Sequence, residues 1–215
     1  LAKQKSDSTT LDPLNQSCTF QFYINPANKI NDNQIILQKK SSLANNITLF
    51  LSESSSTSQC NLNFGITSGS YFNYVSTSLN KGSFSFVTAN QNIDLGKLTL
   101  TIYDNNNIKK VITSSNVTKF KELRYFGEDL NVGSGGNFRY NEGIVSPQET
   151  FSGSLDEFRY YHKNLNEQEI LLNKNKTVNG DVGLILYYKF NEPNGSYDGN
   201  DIVLDSSINS RNEKI

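Results

Sequence analysis

The sequence predicts an all-β protein, a single antiparallel β-sandwich with one short helix. Short runs in which large apolar residues alternate with polar ones recur along the chain, and they are rich in β-branched and aromatic side chains. Clusters of Gly, Asn and Ser separate these runs, as turns separate the strands of a sandwich. At 215 residues, the chain is long enough to bury the core of one such domain.

The first clear strand is predicted at residues 18–26, where Phe20, Phe22 and Ile24 alternate on one face. Each later strand shows the same kind of short apolar run between turn residues. Strands are predicted at 34–40, 47–53, 62–67, 70–76, 83–88 and 122–127, and a hairpin at 97–113 with its turn at 104–107.

Another strand is predicted in the stretch that begins at Phe151. Residues 158–162 alternate as in a half-buried strand, but Leu155 lies three positions before the next inward residue. A β-bulge near Asp156 and Glu157 would restore the inward direction, and Asp156 is expected to hydrogen-bond the backbone there.

A short helix is predicted to begin at Glu167. Asn166 can cap its first turn, and Glu169 can reach back to the cap three positions later. Leu165 can pack on Ile170 as a hydrophobic staple. We expect this to be the single helix of the chain.

The string GSLDEFRYYHKNLNEQEI resembles the closing motif of laminin-G-like jelly-roll modules of the concanavalin A-like superfamily. In that family, a strand reading Gly-x-Ile-Asp-Glu-Val-Arg-Ile-Tyr leads through Ala-Leu-Ser into a Glu-Glu-Ile helix. The matching residues are Gly153, Asp156, Glu157, Arg159, Tyr161, Leu165, Glu169 and Ile170. The strand at 18–26 also resembles the family's opening strand, with Tyr23 where the family has Trp. The resemblance implies the jelly-roll fold, and because the turn at 104–107 lacks the family's Gly, it implies a loop longer than two residues.

Residues 184–212 resemble the beginning of such a module, so a family opening follows a family ending. The residues that match are Tyr187, Tyr188, Phe190, Asp205, Ser206 and Ser207. Residues 182–215 are therefore either the opening strand of a further module or a strand that completes the first sandwich. In the second case, we expect 184–190 to pair close to the strand at 18–24, because an unpaired sheet edge is a liability. Leu184, Leu186 and Tyr188 would then share one buried face.

The predicted organisation is a polar arm at 1–17, a laminin-G-like sandwich at 18–181, and the opening or completing strand at 182–215. This rotated order, in a chain without Met, predicts that the segment is excised from a larger multi-module protein.

Composition argues against two classes of partner. Charged residues are 19% of the chain and the formal net charge is −1, so no basic footprint for nucleic acid is present. The longest apolar run, near 183–188, is too short for membrane insertion. Cys18 and Cys60 lack metal or redox spacing and are interpreted as core residues, with a disulfide left open.

The sequence predicts no catalytic residues. His162 is the single histidine and no Ser or Cys motif accompanies it. Glycosidases on this fold use carboxylates that alternate along one strand, whereas Asp156 and Glu157 are adjacent and point to opposite faces. We therefore expect a protein that is not an enzyme.

The loop at 128–150 is longer than most connections, and such loops are often functional. Amide, carboxylate, guanidinium and aromatic groups suit a sugar, and the loop places several together. The candidate ligand-binding residues are Asp129, Asn137, Arg139, Tyr140 and Asn141. Tyr71 and Tyr74 are interpreted instead as core or strand-surface aromatics.

Calcium is the one cofactor that the resemblance leaves open, because such modules often hold it with loop carboxylates. The loop carboxylates are Asp104, Asp129, Asp198 and Asp201, none of them in an EF-hand pattern. These residues are interpreted as solvated turn residues, and no metal ligand is assigned.

These observations, with the resemblance, predict a noncatalytic recognition or adhesion module on an extracellular or virion surface, lectin-like and binding a glycan. The alternative is a purely structural module, such as a capsid decoration or fibre component, that binds only neighbouring protein subunits.

Overall fold

The computed structural model of the 215-residue chain describes residues 2–3, 11–30, 33–125, 128–147, 150–175, 178, 181–191, 202–209 and 213–214. In chain order, its elements are β1 (Ala2–Lys3), β2 (Cys18–Pro26), β3 (Gln34–Ser42), β4 (Asn45–Glu53), β5 (Gln59–Ser68), β6 (Tyr71–Asn80), β7 (Ser85–Asn92), β8 (Lys97–Tyr103), β9 (Lys109–Thr113), β10 (Leu130–Val132), β11 (Phe138–Tyr140), β12 (Gly143–Val145), β13 (Gly153–Tyr161), α1 (Glu167–Asn175), β14 (Leu184–Tyr188), β15 (Ile202–Val203) and β16 (Glu213–Lys214).

Two six-stranded antiparallel sheets pack face to face. The first sheet has the order β1-β10-β3-β4-β5-β6 and the second the order β14-β13-β2-β7-β8-β9. Two short pairs, β11-β12 and β15-β16, lie outside the sheets. The predicted β-sandwich with one short helix is confirmed, and so are six of the strands and the hairpin at 97–113, whose connection spans 104–108 and is longer than two residues.

The core lies between the sheets because the long strands turn large apolar side chains inward. Phe20, Phe22 and Ile24 of β2 are all buried, as the alternation predicts. The ring of Phe20 stacks on Tyr160 at a centroid distance of 4.6 Å and meets Phe64 of the first sheet edge-on at 6.4 Å. Cys18 and Cys60 are free thiols in this core, as interpreted, and burial raises the pKa of both.

The predicted bulge in β13 is confirmed, since the register with β2 shifts between Asp156 and Arg159. Asp156 Oδ1 accepts a hydrogen bond from the Glu157 amide at 2.8 Å. Glu157 adopts a positive φ of 53°, and its carboxylate meets the buried guanidinium of Arg159 and the hydroxyl of Tyr187. The bulge thus returns the side chains after it to the inward direction.

Helix α1 begins at Glu167, as predicted, and covers the outer face of the second sheet. The capping box is present: the Asn166 amide donates to Glu169 Oε2 at 2.8 Å and the Glu169 amide to Asn166 Oδ1 at 3.0 Å. Leu165 and Ile170 belong to one buried cluster with Tyr161 of β13. No helix in the described part of the chain is long and apolar enough to cross a membrane.

Strand β14 pairs with β13 at the edge of the second sheet, so β13 separates it from β2. Leu186 and Tyr188 lie in the main core, but Leu184 packs in the cluster beneath α1. The prediction that Leu184 shares their face is wrong, because a register shift opposite Tyr160 and Tyr161 inserts an extra residue in β14. The division at 18–181 and 182–215 itself stays a prediction.

The end of the predicted arm packs into the sandwich. Leu11 and Asp12 are buried, and Leu14 forms an isolated bridge with Leu123 through two backbone hydrogen bonds of 3.0 and 2.8 Å. The predicted strand at 122–127 is wrong over its described residues, where this bridge is the one strand-like contact. Pro13, which precedes Leu14, has no N–H with which to extend a ladder.

Candidate ligand-binding site

Part of the long loop folds into the hairpin β11-β12, which lies on the outer face of the first sheet. Phe138 packs edge-on against Phe50 of β4 at a centroid distance of 5.1 Å. The Tyr140 ring lies 5.0 Å from Phe50 and 5.4 Å from Tyr74 of β6. The hairpin is therefore docked by its aromatic side chains.

Gly65 of β5 provides the space for the Tyr140 ring. A Cβ at Gly65 would lie 2.6 Å from a ring carbon of Tyr140, far inside van der Waals contact. The Tyr140 hydroxyl is buried without a hydrogen-bond partner among the described residues, and burial raises its pKa. In this position, the ring of Tyr140 anchors the hairpin.

The backbone of Arg139 joins the hairpin to the turn between β3 and β4. Its amide donates to the Leu43 carbonyl at 3.1 Å, and its carbonyl accepts from Asn46 Nδ2 and Thr67 Oγ1, both at 3.2 Å. Asn137 precedes β11, and its carbonyl accepts from Lys40 Nζ at 2.8 Å.

Asn141 lies in the hairpin turn with a φ of 56°, while Asp129 lies outside the hairpin, directly before β10. Burial lowers the pKa of Lys39, and the negative charges of Asp12 and Asp129 oppose that shift. The structure thus brings together four of the five sequence-predicted residues, and their role in binding stays a prediction.

An open cleft of about 500 Å³ adjoins the same turn. It is formed where the β3-β4 turn, the β5-β6 turn and the segment before Leu123 meet at one end of the first sheet. The residues that line it are Asn45, Ser68, Gly69, Ser70, Tyr71, Lys119, Phe120, Lys121 and Glu122.

Hydrogen bonds to backbone groups hold the walls of this cleft. Gly69, with a φ of 61°, donates its amide to the Ala44 carbonyl and to Asn45 Oδ1, both at 2.9 Å. This bond ties the β5-β6 turn to the turn that carries the hairpin. On the other side, Thr118 donates Oγ1 to the Phe72 carbonyl at 2.7 Å and its amide to the Gly96 carbonyl at 2.8 Å.

Tyr71 stands at the rim of the cleft with 64% of its surface exposed. Phe120 is buried below it, and Lys119, Lys121 and Glu122 supply charged groups. An exposed ring beside amide, hydroxyl and charged groups is what a sugar needs for stacking and for its hydroxyls. We call this surface the Tyr71 cleft.

The interpretation of the two tyrosines as core or strand-surface aromatics fits both residues: Tyr74 is half-buried against Tyr140, and Tyr71 is an exposed aromatic at the first position of strand β6. Tyr71 is not among the ligand-binding candidates of the sequence. Tyr71 directly follows the turn at Gly69 and Ser70, and that position was the one sequence signal for its exposure. The first strand residue after a tight turn has few neighbours to cover it.

The acidic and histidine side chains near β13 are engaged in structural contacts. His162 Nε2 lies 3.1 Å from the Tyr160 hydroxyl, and burial raises the pKa of Asp156. No group of three or more His, Cys, Asp or Glu able to hold a metal occurs in the described ranges. Of the loop carboxylates considered for calcium, Asp198 and Asp201 lie outside them.

A family model of laminin-G-like domains, described as the concanavalin A-like lectin/glucanases superfamily, matches residues 3–171. The chain belongs to this superfamily. The match covers most of the sequence and includes both the opening strand β2 and the motif in β13 and α1. No characterised protein matched the chain.

Solved structures of the superfamily fold are similar to this chain at low sequence identity. A protein from Bacteroides ovatus to which carbohydrate binding has been ascribed is 14% identical, with a TM-score of 0.60 over 99% of this chain and 54% of its own. The LG1-3 region of the laminin α2 chain is 13% identical, with a TM-score of 0.52 over 77% of this chain and 30% of its own. The carbohydrate-binding module of a Ruminococcus gnavus sialidase, bound to α2,3-sialyllactose, is 12% identical, with a TM-score of 0.50 over 74% of this chain and 83% of its own. This chain thus spans about half the length of the Bacteroides protein.

Proposed function

We propose that the chain is a noncatalytic, lectin-like recognition module that binds a glycan in the Tyr71 cleft. The observation that carries the proposal is the exposed Tyr71 ring at the rim of an open, polar cleft of about 500 Å³. Membership of a superfamily that includes lectins supports it, as does the similarity to a module bound to sialyllactose. Arg139 and Asn141 of the hairpin, with Asn137 directly before it, border the cleft through the turn at Leu43 and extend the contact surface.

We further propose that the module works on an extracellular or virion surface as part of a larger protein. Its span of about half of the Bacteroides protein supports a multi-module parent. The companion modules would then supply any further activity.

A glycan array with the wild-type segment and the Tyr71→Ala variant tests the proposal, with and without calcium. We expect binding to at least one glycan class, and a loss of about tenfold or more in Tyr71→Ala, because aromatic contact contributes on the order of 1.5 kcal/mol. Phe84→Ala is the matched control, since Phe84 is also an exposed aromatic but does not line the cleft. No binding to any glycan, or equal loss in both variants, would contradict the assignment.

The second candidate function is a purely structural module that binds neighbouring protein subunits. The observation that favours it is strand β9, an edge strand of the second sheet whose five residues are all exposed. Val111 and Ile112 are among them, and an exposed edge can pair with a strand of another chain. Absence of binding to every glycan on the array, together with a stable oligomer detected by light scattering, would support this candidate.

A further inference from the structure

A second pocket lies at the other end of β6. The strand starts at Tyr71, beside the cleft, and ends at Asn80, which lines a pocket of about 170 Å³. Nine residue steps along a strand place the two sites roughly 30 Å apart. The pocket lies where the edge of the first sheet meets β7 and the β8-β9 turn of the second, and the two sites are therefore separate.

The floor of this pocket is apolar and its wall is polar. Leu79 and Ile102 are buried at the floor. On the wall, Gln59 Nε2 donates to Asn80 Oδ1 at 3.0 Å. In the described part of the chain, Gln59 Oε1 and Asn80 Nδ2 have no hydrogen-bond partner, which leaves an acceptor and a donor beside the floor.

Ser85 adds a buried hydroxyl that the described protein does not satisfy. It lines the pocket, is 2% exposed, and its Oγ has no hydrogen-bond partner among the described residues. A buried hydroxyl without a partner destabilises a fold, and native proteins satisfy such groups with another side chain, water or a ligand. Ser85 is therefore the group in the pocket that points most directly to a bound molecule.

One positively charged side chain and one negatively charged side chain line the pocket, so their charges cancel. Lys110 Nζ donates to Ser78 Oγ at 2.7 Å, and Asp104 Oδ1 accepts from the backbone amides of Asn106 and Ile108 at 2.9 and 2.8 Å. One cation and one carboxylate select for neither an anion nor a cation. The ligand that fits is neutral, has groups that both donate and accept hydrogen bonds, and has one apolar face.

The volume of the pocket further limits which ligands fit it. The pocket of about 170 Å³ holds about six water molecules at their liquid share of about 30 Å³ each, and it is smaller than the roughly 300 Å³ at which drug-sized sites begin. We propose that this Ser85 pocket is a second binding site, which takes one neutral pyranose residue. Its hydroxyls bond Ser85, Gln59 and Asn80, and its C–H face lies on Leu79 and Ile102. The site does not depend on the Tyr71 cleft.

An NMR titration of the ¹⁵N-labelled chain with methyl α-D-glucopyranoside, methyl α-D-galactopyranoside and methyl α-D-mannopyranoside tests the proposal. We expect saturable shifts at the amides of Ser78, Asn80 and Ser85 with at least one of them, at a millimolar dissociation constant typical of so small a ligand. Shifts confined to the surroundings of Tyr71, or none, would overturn the second site. The Tyr71→Ala variant retains the shifts at Ser85, so failure here is distinguishable from failure of the proposed function.

Two variants separate binding from a structural role. Ser85→Ala should weaken binding about three- to tenfold, as expected for one neutral hydrogen bond, while its Tm stays unchanged or rises because an unpaired hydroxyl is removed. Thr77→Val is the matched control: Thr77 Oγ1 is also buried without a partner among the described residues, but it does not line the pocket. Wild-type affinity in Ser85→Ala, or an equal loss in Thr77→Val, would refute the assignment.

Discussion

At the scale of single residues, Gly65 is unfavourable for strand β5, which contains it, yet the docking of the hairpin β11-β12 requires it. A glycine inside a strand offers no side chain to pack and often marks a close approach of another group. Here that group is the ring of Tyr140, which lies 75 positions later in the chain and packs against the rings of Phe50 and Tyr74. The docking of the hairpin thus depends on the missing side chain.

Gly65→Ala should displace the Tyr140 ring, because the new Cβ would lie 2.6 and 2.8 Å from two of its carbons. We expect a loss of about 1–3 kcal/mol in the free energy of unfolding, the usual effect of overpacking, measured by urea denaturation. Gly143→Ala is the control, since its new Cβ would lie 4.0 Å from the Tyr140 carbonyl oxygen, an ordinary van der Waals distance.

The double variant Gly65→Ala/Tyr140→Ala should lose less than the two single losses added together, because the clash disappears with the ring. Additive losses would show that Tyr140 does not occupy the space at Gly65.

At the scale of elements, a buried ion pair fixes the segment before β2 onto β3. Lys39 Nζ lies 3.3 Å from Asp12 Oδ1, and both side chains are at most 1% exposed. Asp12 Oδ2 accepts from the Tyr125 amide at 2.8 Å, and Lys39 also donates to the Glu128 carbonyl. One pair of side chains therefore joins three segments that are distant in sequence.

Lys39→Met should cost about 3–5 kcal/mol of stability, because it leaves the buried Asp12 carboxylate without its cation. Lys39→Met/Asp12→Asn should recover much of the loss, since the amide oxygen can still accept from the Tyr125 amide. Chemical denaturation of both variants measures the effect. The control is Lys40→Met, which removes a neighbouring lysine whose bond to the Asn137 carbonyl is exposed. A single-variant loss as small as that of Lys40→Met would argue against the pair.

The elements that could be predicted from the sequence are those whose periodicity reports burial directly. In strand β2, the alternating residues Phe20, Phe22 and Ile24 are all buried, as their spacing predicts. The capping box of the helix lies within the four residues from Asn166 to Glu169. The strand prediction at 122–127 is wrong because Leu123 and Tyr125 alternate like a strand, although the bridge to Leu14 is the one β-contact of this segment in the described part of the chain. Apolar alternation shows that a segment is half-buried, not that a strand is available to pair with it.

At the scale of the whole molecule, the candidate site is harder to predict from the sequence than the fold. The Tyr71 cleft is assembled from three segments, near Asn45, Tyr71 and Lys119, that meet only because the sandwich brings their turns to one end. Nothing local in the sequence reports that meeting. The composition of the loop at 128–150 indicates candidate ligand-binding residues, but it does not indicate that the ring of Tyr140 packs into the space at Gly65.

Strand β14 forms one edge of the second sheet. Leu186 and Tyr188 contribute to the main core, and Asp205 Oδ1 accepts from the Tyr187 amide at 2.9 Å. Burying each large apolar side chain is worth about 1.5–3 kcal/mol, so removal of the strand should cost several times that amount. It would also uncover the edge of β13, whose Phe158 and Tyr160 pair with Tyr188 and Leu186.

Deleting residues 181–215 should therefore lower Tm sharply and promote association through the vacated edge of β13, because an unpaired, apolar edge recruits other strands. Calorimetry and light scattering measure the two effects. A shorter deletion of 192–215 keeps β14 and isolates the contribution of the strand; it should remain monomeric, with a smaller decrease in Tm due to the loss of Asp205 and Val203. If the chain without 181–215 melts as the full chain does and stays monomeric, β14 does not complete this sandwich and belongs to a further module.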